Sequence, residues 1–490
     1  MIAENTNQRK DGEQFMNNYF DATDIMNNII ETWHLEAKQE NEELFYYINE
    51  VNAIKSGKKA YIIGRKGMGK TAISEYLYSQ KSSNNFTERL SFKNFPFNIL
   101  YELENSKYTS PNQYITIWKY LIYNTICKMM SQNNSLDTTL LDTLNRIYSQ
   151  QPIKALNKLV PKWTASGFGT EILGCGGSIE GLEKSSAPIS WIEKCDIFED
   201  IIEQYADNSY YYILIDELDE DYRDFEDEVQ RKTYIYLITS LFKAVQDIKS
   251  YFKDSNINIR PVIFLRSDIY SLIKDSDKNK WIDYKLDLLW DTTRLQEMIC
   301  HRLYINSGET IPTTEVWKKL FPQKYVFMGN RGHNRMDSFD YITRSTHMRP
   351  RDYIHYISEC AKLAISKNET AILSSTIKEV DKEFSEYLKG EIIDEIFSVI
   401  PNIDQVFSIL SQIRKQTFNP QIFLEAYSPY EKYPEEGKCI LLQLFEHGVI
   451  GNQPSMKGQQ IFKHQYPNAL FNINENVIIH RGLYKSLQIF

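Results

Sequence analysis

Gly64-Arg65-Lys66-Gly67-Met68-Gly69-Lys70-Thr71 sets glycines, a lysine and a hydroxyl at the spacing G-x-x-x-x-G-K-[ST]. Glycines at these places let the backbone wrap so that successive N–H groups converge on one anion. Lys70 brings a point charge to β- and γ-phosphates, and the Thr71 hydroxyl suits Mg²⁺. The helix expected to open at about Gly69 and run through Ala72 and Ile73 turns its positive end to the same anion. The run Gly64 to Ala72 therefore reads as a nucleotide-binding segment. An apolar strand, Ala60 to Ile63, precedes it, and an amphipathic helix follows.

A second chemical group stands at the end of Tyr211–Glu217, YYILIDE. An acid there holds the Mg²⁺ shell, the role given to Asp216. Its neighbour Glu217 is placed to orient and deprotonate a water. A third strand, Ile259–Leu265, ends in Arg266-Ser267-Asp268, where a polar side chain could sense a γ-phosphate. Arg266 is the candidate, with Ser267 and Asp268 as alternatives. ATP is expected as the nucleotide, since no N-K-x-D guanine-reading sequence is present.

Of 17 arginines, five lie between residues 331 and 351: Arg331, Arg335, Arg344, Arg349 and Arg351, with His333 and His347 among them. Pro350 suits the first turn of a helix whose face is Ile354, Ile357, Ala361 and Ala364. Arg349 is thereby expected to project from a rigid helix start and meet phosphate across a cleft, as a planar, permanently charged guanidinium can. A carboxylate partner on the acidic loop that follows Asp216, or a nucleic-acid contact, are the other readings of it. Arg294 and Arg302 are further candidates for an arginine finger.

The elements that must position these groups follow from periodicity. Phe15, Met16, Tyr19 and Phe20 share a face of an N-terminal helix. Trp33 and the charged KQENEE lead into Phe45–Ile54. Leu90 to Leu100 reads as a strand, and Ile115, Trp118, Leu121, Ile122 and Thr125 mark one face of a helix. Six of 20 glycines between Gly167 and Gly181 mark a loop or hairpin. Thr233–Ile248 is helical. From about Leu286 the pattern is mostly helical to about Phe445, and a β-hairpin closes the chain. No internal repeat appears.

At 490 residues, with 42% hydrophobic and 13% aromatic content, the chain supports about three domains and is not disordered. Fifty-six basic against 65 acidic residues give a net charge of −9, which excludes a generally basic, nucleic-acid-type surface. Nine acids and one arginine fall in residues 216–228, so the acidity is local. The polar opening has no apolar core of a secretory signal, and no run reaches the ~18 residues of a membrane span. The six cysteines form no C-x-x-C pair; free thiols in a reducing cytoplasm are expected, and a structural zinc site is not.

Taken together, these segments resemble a bacterial P-loop ATPase family of the AAA+/STAND superfamily. The motifs are IIGRKGxGK[ST]AI, ILIDELDE, FLRSDI, MRPRDxI and IHRGLxKxL, read here at Ile62–Ile73, Ile213–Glu220, Phe264–Ile269, Met348–Ile354 and Ile479–Leu487. The resemblance implies ATP and Mg²⁺ binding, an arginine sensor at Arg349 in a helical lid, and a winged-helix-like C-terminus. It also implies a setting among mobile elements and phage defence. The expected fold class is an α/β P-loop NTPase core, a parallel sheet with flanking helices, carrying an inserted helical region, a helical lid and a winged-helix-like module. The expected divisions are 1–45, an N-terminal helical segment; 46–300, the core, with its insertion at about 105–206; 301–395, the lid; and 396–490, the C-terminal module. Asp216 follows Lys70 by 146 residues, farther than a compact core needs, hence the insertion. STAND proteins carry a sensor array and an effector domain. Neither is legible here, so a separate effector or partner protein is expected, with a homo-oligomer.

The third helix of the C-terminal module, Glu435–His447, offers Glu435, Glu436, Lys438, Gln443 and Glu446, more acidic than basic and so a poor surface for reading a DNA groove. Residues 451–490 are only +3. Protein contact or nucleotide sensing is therefore expected over sequence-specific DNA binding. The leading function is an ATP-hydrolysing molecular switch. The alternatives are an initiator-like DNA-binding or DNA-remodelling ATPase and a nucleotide-bound scaffold without turnover.

Overall fold

Strands covered on both faces read as continuous apolar runs, because neither side needs a polar residue. The computed structural model, which describes residues 21–148, 156–165, 168–169, 190–219, 228–329, 334–455 and 458–489, builds its central sheet from such runs. After α1 (Ala22–Thr32) and α2 (Glu50–Lys55) come β1 (Tyr61–Gly64), α3 (Lys70–Ser79) and β2 (Asn85–Ser91). Then follow α4 (Asn98–Tyr101), α5 (Ile115–Met130), α6 (Thr138–Tyr148), α7 (Leu156–Thr164) and α8 (Trp191–Tyr205). The core closes with β3 (Tyr210–Asp216), α9 (Glu228–Tyr251), β4 (Asn258–Arg266), α10 (Ser267–Leu272) and β5 (Lys285–Asp287).

The five strands are parallel, in the order β2-β3-β4-β1-β5. β4 thus separates the strand that feeds the glycine loop from the strand that ends in Asp216. Side chains alternate between faces. Ile63, Ile213, Ile215, Ile263 and Leu265 enter one core with α5, α8 and α9. Ile62, Leu214, Val262 and Phe264 enter the other, with Val51 and Ile54 of α2 and Ile73 and Leu77 of α3. Register brings Ser91 beside Asp216 and Gly64 beside Arg266, so the polar strand ends form one row. Crevices at the carboxyl ends of such sheets are where ligands bind.

Two elements differ from the sequence reading. The run Leu90–Leu100 is not one strand: β2 stops at Ser91, and Phe95 N–H turns back to the Phe92 carbonyl at 3.0 Å. Pro96 cannot extend a ladder, and Phe92, Phe95 and Phe97 bury their rings against one another at 5.1–5.6 Å. α5 forms where its period predicts, yet its burial is not confined to one face; Tyr120, Tyr123, Ile126 and Cys127 are buried as well. The sheet, α8 and α9 surround it, and a helix covered all round has no polar stripe to display.

Beyond β5 lie α11 (Thr292–Asn306), α12 (Thr313–Leu320), β6 (Tyr325–Met328), β7 (Asn334–Asp337), α13 (Ser338–Thr343), α14 (Pro350–Ser366) and α15 (Ser374–Ile396). Then come α16 (Ile403–Ile413), β8 (Thr417–Phe418), α17 (Pro420–Tyr427), α18 (Glu436–Glu446), β9 (Ile450–Gln453) and β10 (Asn476–Ile479). The mostly helical expectation holds with two additions, the antiparallel β6–β7 pair and β8. β8 joins the closing hairpin in a sheet ordered β8-β10-β9. The order α16-β8-α17-α18-β9-β10 is that of a winged helix. One apolar core runs from Ile25, Met26 and Ile29 of α1 through α11, α14 and α15 into this module.

Among the described residues no helix is long and apolar enough to cross a membrane, and Cys127, Cys195, Cys300, Cys360 and Cys439 are free thiols. The Phe15–Phe20 face, most of the glycine-rich stretch, residues 220–227 of the acidic run, Arg331 and His333 lie outside the described residues.

Candidate active site

The glycine loop takes its shape from two residues in the left-handed region, Gly67 at φ +80° and Gly69 at φ +93°. Both are conformations that a side chain disfavours. α3 begins at Lys70 with Gly69 as its cap, so the free N–H groups of its first turn face the loop. Met68 is buried beneath, and the Trp290 indole N–H donates to its carbonyl at 2.9 Å, fixing the turn from below.

Lys70 Nζ donates to the carbonyls of Gly64 and Arg65 at 2.9 and 3.1 Å. Burial lowers its pKa, while Asp219 and Asp216 pull the other way. Across the row, Asp216 is 3% exposed. Its Oδ1 accepts the Glu217 N–H at 2.9 Å, and its Oδ2 is buried with no hydrogen-bond partner. Burial pushes this carboxyl up to about 6. An orphaned, buried carboxylate oxygen and a threonine hydroxyl, both on residues that line this cavity, are donors of the kind Mg²⁺ takes. The residues present therefore fit the ion, and Asp216 and Thr71 are the ones that could hold it.

Glu217 stands at φ +61°, a left-handed conformation unusual for a residue with a side chain. Both carboxylate oxygens are engaged. One accepts from the Ser91 hydroxyl at the end of β2, the other meets Lys38 Nζ at 2.7 Å. Arg266, 4% exposed, donates through Nη2 to Asp268 at 2.6 Å and lies 3.4 Å from Asp219. Burial would lower its pKa, but Asp268 and Asp219 hold it above the ordinary value. Of the three candidates on this strand end, Arg266 reaches the cavity wall. Asp268 is its ion partner, and Ser267 opens α10.

Between these groups lies a cavity of about 290 Å³. Its floor is Gly67 to Ile73, with Asp216, Glu217, Asp219 and Arg266 along one side. Its roof is a segment that sequence reasoning did not assign to the site, residues 34–48. Leu35, Leu44, Phe45, Tyr46 and Ile48 give it an apolar lining that Met298 and Ile354 continue. Phe45 stacks on Tyr76 of α3 at 4.5 Å, which ties the roof to the loop's own helix. The KQENEE run held a signal only in composition: its Lys38 reaches Glu217, and its Glu40 holds Arg302.

The arginine cluster separates in space. α14 starts at Pro350 as expected, but Arg349 does not reach across a cleft. It is wholly buried, donates from Nε to Asp352 at 3.0 Å and pairs through Nη1 with Glu395. Burial opposes its charge, and Asp352 and Glu395 restore it. The reason for this correction is α15, whose carboxylates lie behind the loop. Glu395, which burial alone would raise, is held down to about 2 by Arg349 and Arg65. Lys66 lies 3.3 Å from both Glu391 and Asp394. Arg351 is the member of the cluster on the cavity wall, and its N–H donates to the Gly67 carbonyl at 3.4 Å. Arg335 and Arg344 lie over the rings of Tyr325 and Tyr341, away from the site. Arg294 is held by Glu50 and Arg302 by Glu40 within the same chain.

Residues 293–392, from α11 into α15, match the family model of a FunZ-associated C-terminal helical domain. Among curated proteins, none matches the chain. Among solved structures the chain is similar to the Aeropyrum pernix ORC2 protein in its ADPNP–ADP complexes. Identity is 11% over 90% of this chain and 89% of that one, with a TM-score of 0.39. It is also similar to Cdc6p from Pyrobaculum aerophilum, at 9% identity over 88% and 86% of the two chains and a TM-score of 0.29. A third likeness is to a Drosophila ORC structure bound to DNA, at 10% identity over 100% and 97% and a TM-score of 0.29. Overlays this loose carry no argument about function, which rests on the geometry of the site.

Proposed function

We propose that this chain binds ATP with Mg²⁺ and hydrolyses it as a molecular switch of the AAA+/STAND type. One observation carries the reading: Lys70, Thr71, Asp216, Glu217 and Arg266 border a single cavity at the carboxyl ends of a parallel sheet. Gly64 to Ala72 cradle the phosphates through backbone N–H groups and the start of α3, with Lys70 neutralising charge on the outer phosphates. Thr71 and Asp216 would hold Mg²⁺, which when bound would offset the negative charge of the transferring phosphoryl group. Glu217 orients the attacking water and takes its proton, and Arg266 stands where a γ-phosphate is sensed. The apolar roof from Leu35 to Ile48 suits the base. Closure of roof and lid on ATP, and their release on hydrolysis, is the switch.

In this reading the chain acts as a homo-oligomer with a separate effector protein, in the cytoplasm of a bacterium, in anti-phage defence. An initiator-like DNA-binding ATPase is the second reading, favoured by the winged-helix order of the C-terminal elements. The outward residues of α18 are Lys438, which pairs with Glu435, and the uncharged Cys439 and Leu442, a poor set for a groove-reading helix.

The test is nucleotide titration by calorimetry. Wild type is expected to bind ATP with Mg²⁺, and Lys70→Ala to lose that binding. Equal affinity in the variant would remove the site. Steeply salt-dependent duplex binding at low salt with ATP present would favour the second reading.

A further inference from the structure

Three histidines far apart in sequence meet where the lid, the β9–β10 connection and the tail converge. His347 lies just before α14, His464 between β9 and β10, and His480 directly after β10. Their ring centroids are 4.6–5.0 Å apart, and one ring nitrogen from each lies within 4.8 Å of the other two. His347 is wholly buried and His480 is 2% exposed.

The hydrogen bonds of these rings point one way. A carbonyl can only accept, so the 3.1 Å contact of His347 Nε2 with the Gly448 carbonyl puts the proton on Nε2. That leaves the lone pair on Nδ1, which is buried with no partner. His464 has no partner at either ring nitrogen. His480 accepts the Gly482 N–H through Nδ1 at 3.2 Å, a modest bond to exchange for a stronger one. Leaving a buried nitrogen unmatched is costly, so a cluster of them calls for a partner. Fixing the ring tautomer through a backbone carbonyl is how metal-binding histidines are commonly held.

We propose that His347, His464 and His480 bind one divalent transition metal of the zinc class, clasping the C-terminal module to the loop that precedes α14. Imidazole nitrogens suit zinc and its neighbours, whereas Ca²⁺ and Mg²⁺ seek oxygen. A tetrahedral site with bonds of about 2.0–2.1 Å sets ligand nitrogens about 3.3 Å apart, within reach of small side-chain rotations. Among the described residues no fourth histidine, cysteine or carboxylate joins the group, so water takes the fourth position. Protonation is a poor alternative. Burial, then the mutual repulsion of the three rings, then Arg65 and Arg349 hold His347 well below its ordinary pKa. Neutral imidazole is the form a metal takes. The two arginines face Glu395 and Asp352, so the metal's charge does not add to bare guanidiniums. None of the described cysteines joins the group.

The clasp bears on the glycine loop through a short path. His347 is two residues ahead of Arg349, whose stem lies 3.5 Å from where a Gly67 Cβ would stand. The proposal does not depend on the nucleotide reading.

Full-length protein freed of metal with a chelator is titrated with Co²⁺ and then Zn²⁺, without nucleotide. One Co²⁺ per chain is expected, with the intense visible bands of tetrahedral coordination, displaced by one Zn²⁺. His464→Gln is expected to lose the bands, and Asp216→Asn, which alters only the oxygen site at the glycine loop, to keep them. X-ray absorption of the Zn²⁺ form should show three imidazole nitrogens at about 2.0–2.1 Å. That measurement uses wild type alone and so decides the matter even if a variant fails to fold. No stoichiometric uptake, bands that persist in His464→Gln, or a metal shell without imidazole scattering would each overturn the assignment.

Discussion

The glycine loop has two sides, and their charges are answered to different degrees. On the cavity side, Asp216 keeps an oxygen with no partner, Lys70 turns to its own loop carbonyls, and about 290 Å³ lies open between them. On the far side, Arg65, Lys66 and Arg349 face Glu391, Asp394, Glu395 and Asp352. A front that keeps an unmatched carboxylate oxygen can receive charge from outside, and a back whose cations each meet a carboxylate holds the loop in place. Arg266 and Arg349 read alike in the sequence, each a guanidinium at the end of an element. One belongs to the front and the other to the back, and the difference comes entirely from which carboxylates are near.

The sharpest way to break this contrast is to open the back. Glu395→Gln leaves two buried guanidiniums without their shared carboxylate. It is expected to lower stability by about 3–5 kcal/mol, read by urea unfolding, because an unpaired buried charge is costly. The pH dependence has a definite sign. Glu395 is held down to about 2 in the folded chain, so its contribution is complete above its ordinary value of about 4.5. That contribution is lost as pH falls toward 2, and the gap between wild type and Glu395→Gln should narrow across that window. A constant gap would deny Glu395 its role.

A smaller effect tests the front. Lys38 and Ser91 together engage both oxygens of Glu217, so a water that it activates must compete with these partners. Lys38→Ala frees one oxygen and is expected to raise steady phosphate release by up to about tenfold, within the reach of one hydrogen bond to a charged group. Unchanged release would make the Lys38 contact incidental. Smallest of all, Arg351→Ala removes a partly exposed pair with Glu391, 3.5 Å apart, and should shift stability by less than about 1 kcal/mol. A larger loss would move Arg351 into the set that holds the loop.

Much of the front was legible in the sequence, because local chain geometry decides it. The glycines that must turn at Gly67 and Gly69, the strand end at Asp216, and the strand end at Arg266 each declare themselves within a few residues. That Ser91 and Arg266 flank the same row follows from parallel register, which sequence alone did not supply. The back was not legible. Pro350 announced the start of α14, yet the fate of Arg349 was set by Glu395, 46 residues on and on another helix. The roof escaped for the same reason: Leu35 to Ile48 carry no motif, and only packing on α3 and beneath α14 makes them part of the cavity. The histidine cluster is an extreme case, three residues 16 to 133 positions apart with no spacing to read.

The central claim is that Glu217 serves turnover at a site where Lys70 serves binding. Steady-state phosphate release by purified full-length protein with ATP and Mg²⁺, wild type beside Glu217→Gln, tests it most directly. The account predicts measurable release by wild type and a loss of about 10²–10⁴-fold in Glu217→Gln, with ATP affinity retained. Undiminished release by Glu217→Gln, or none from wild type, would contradict it.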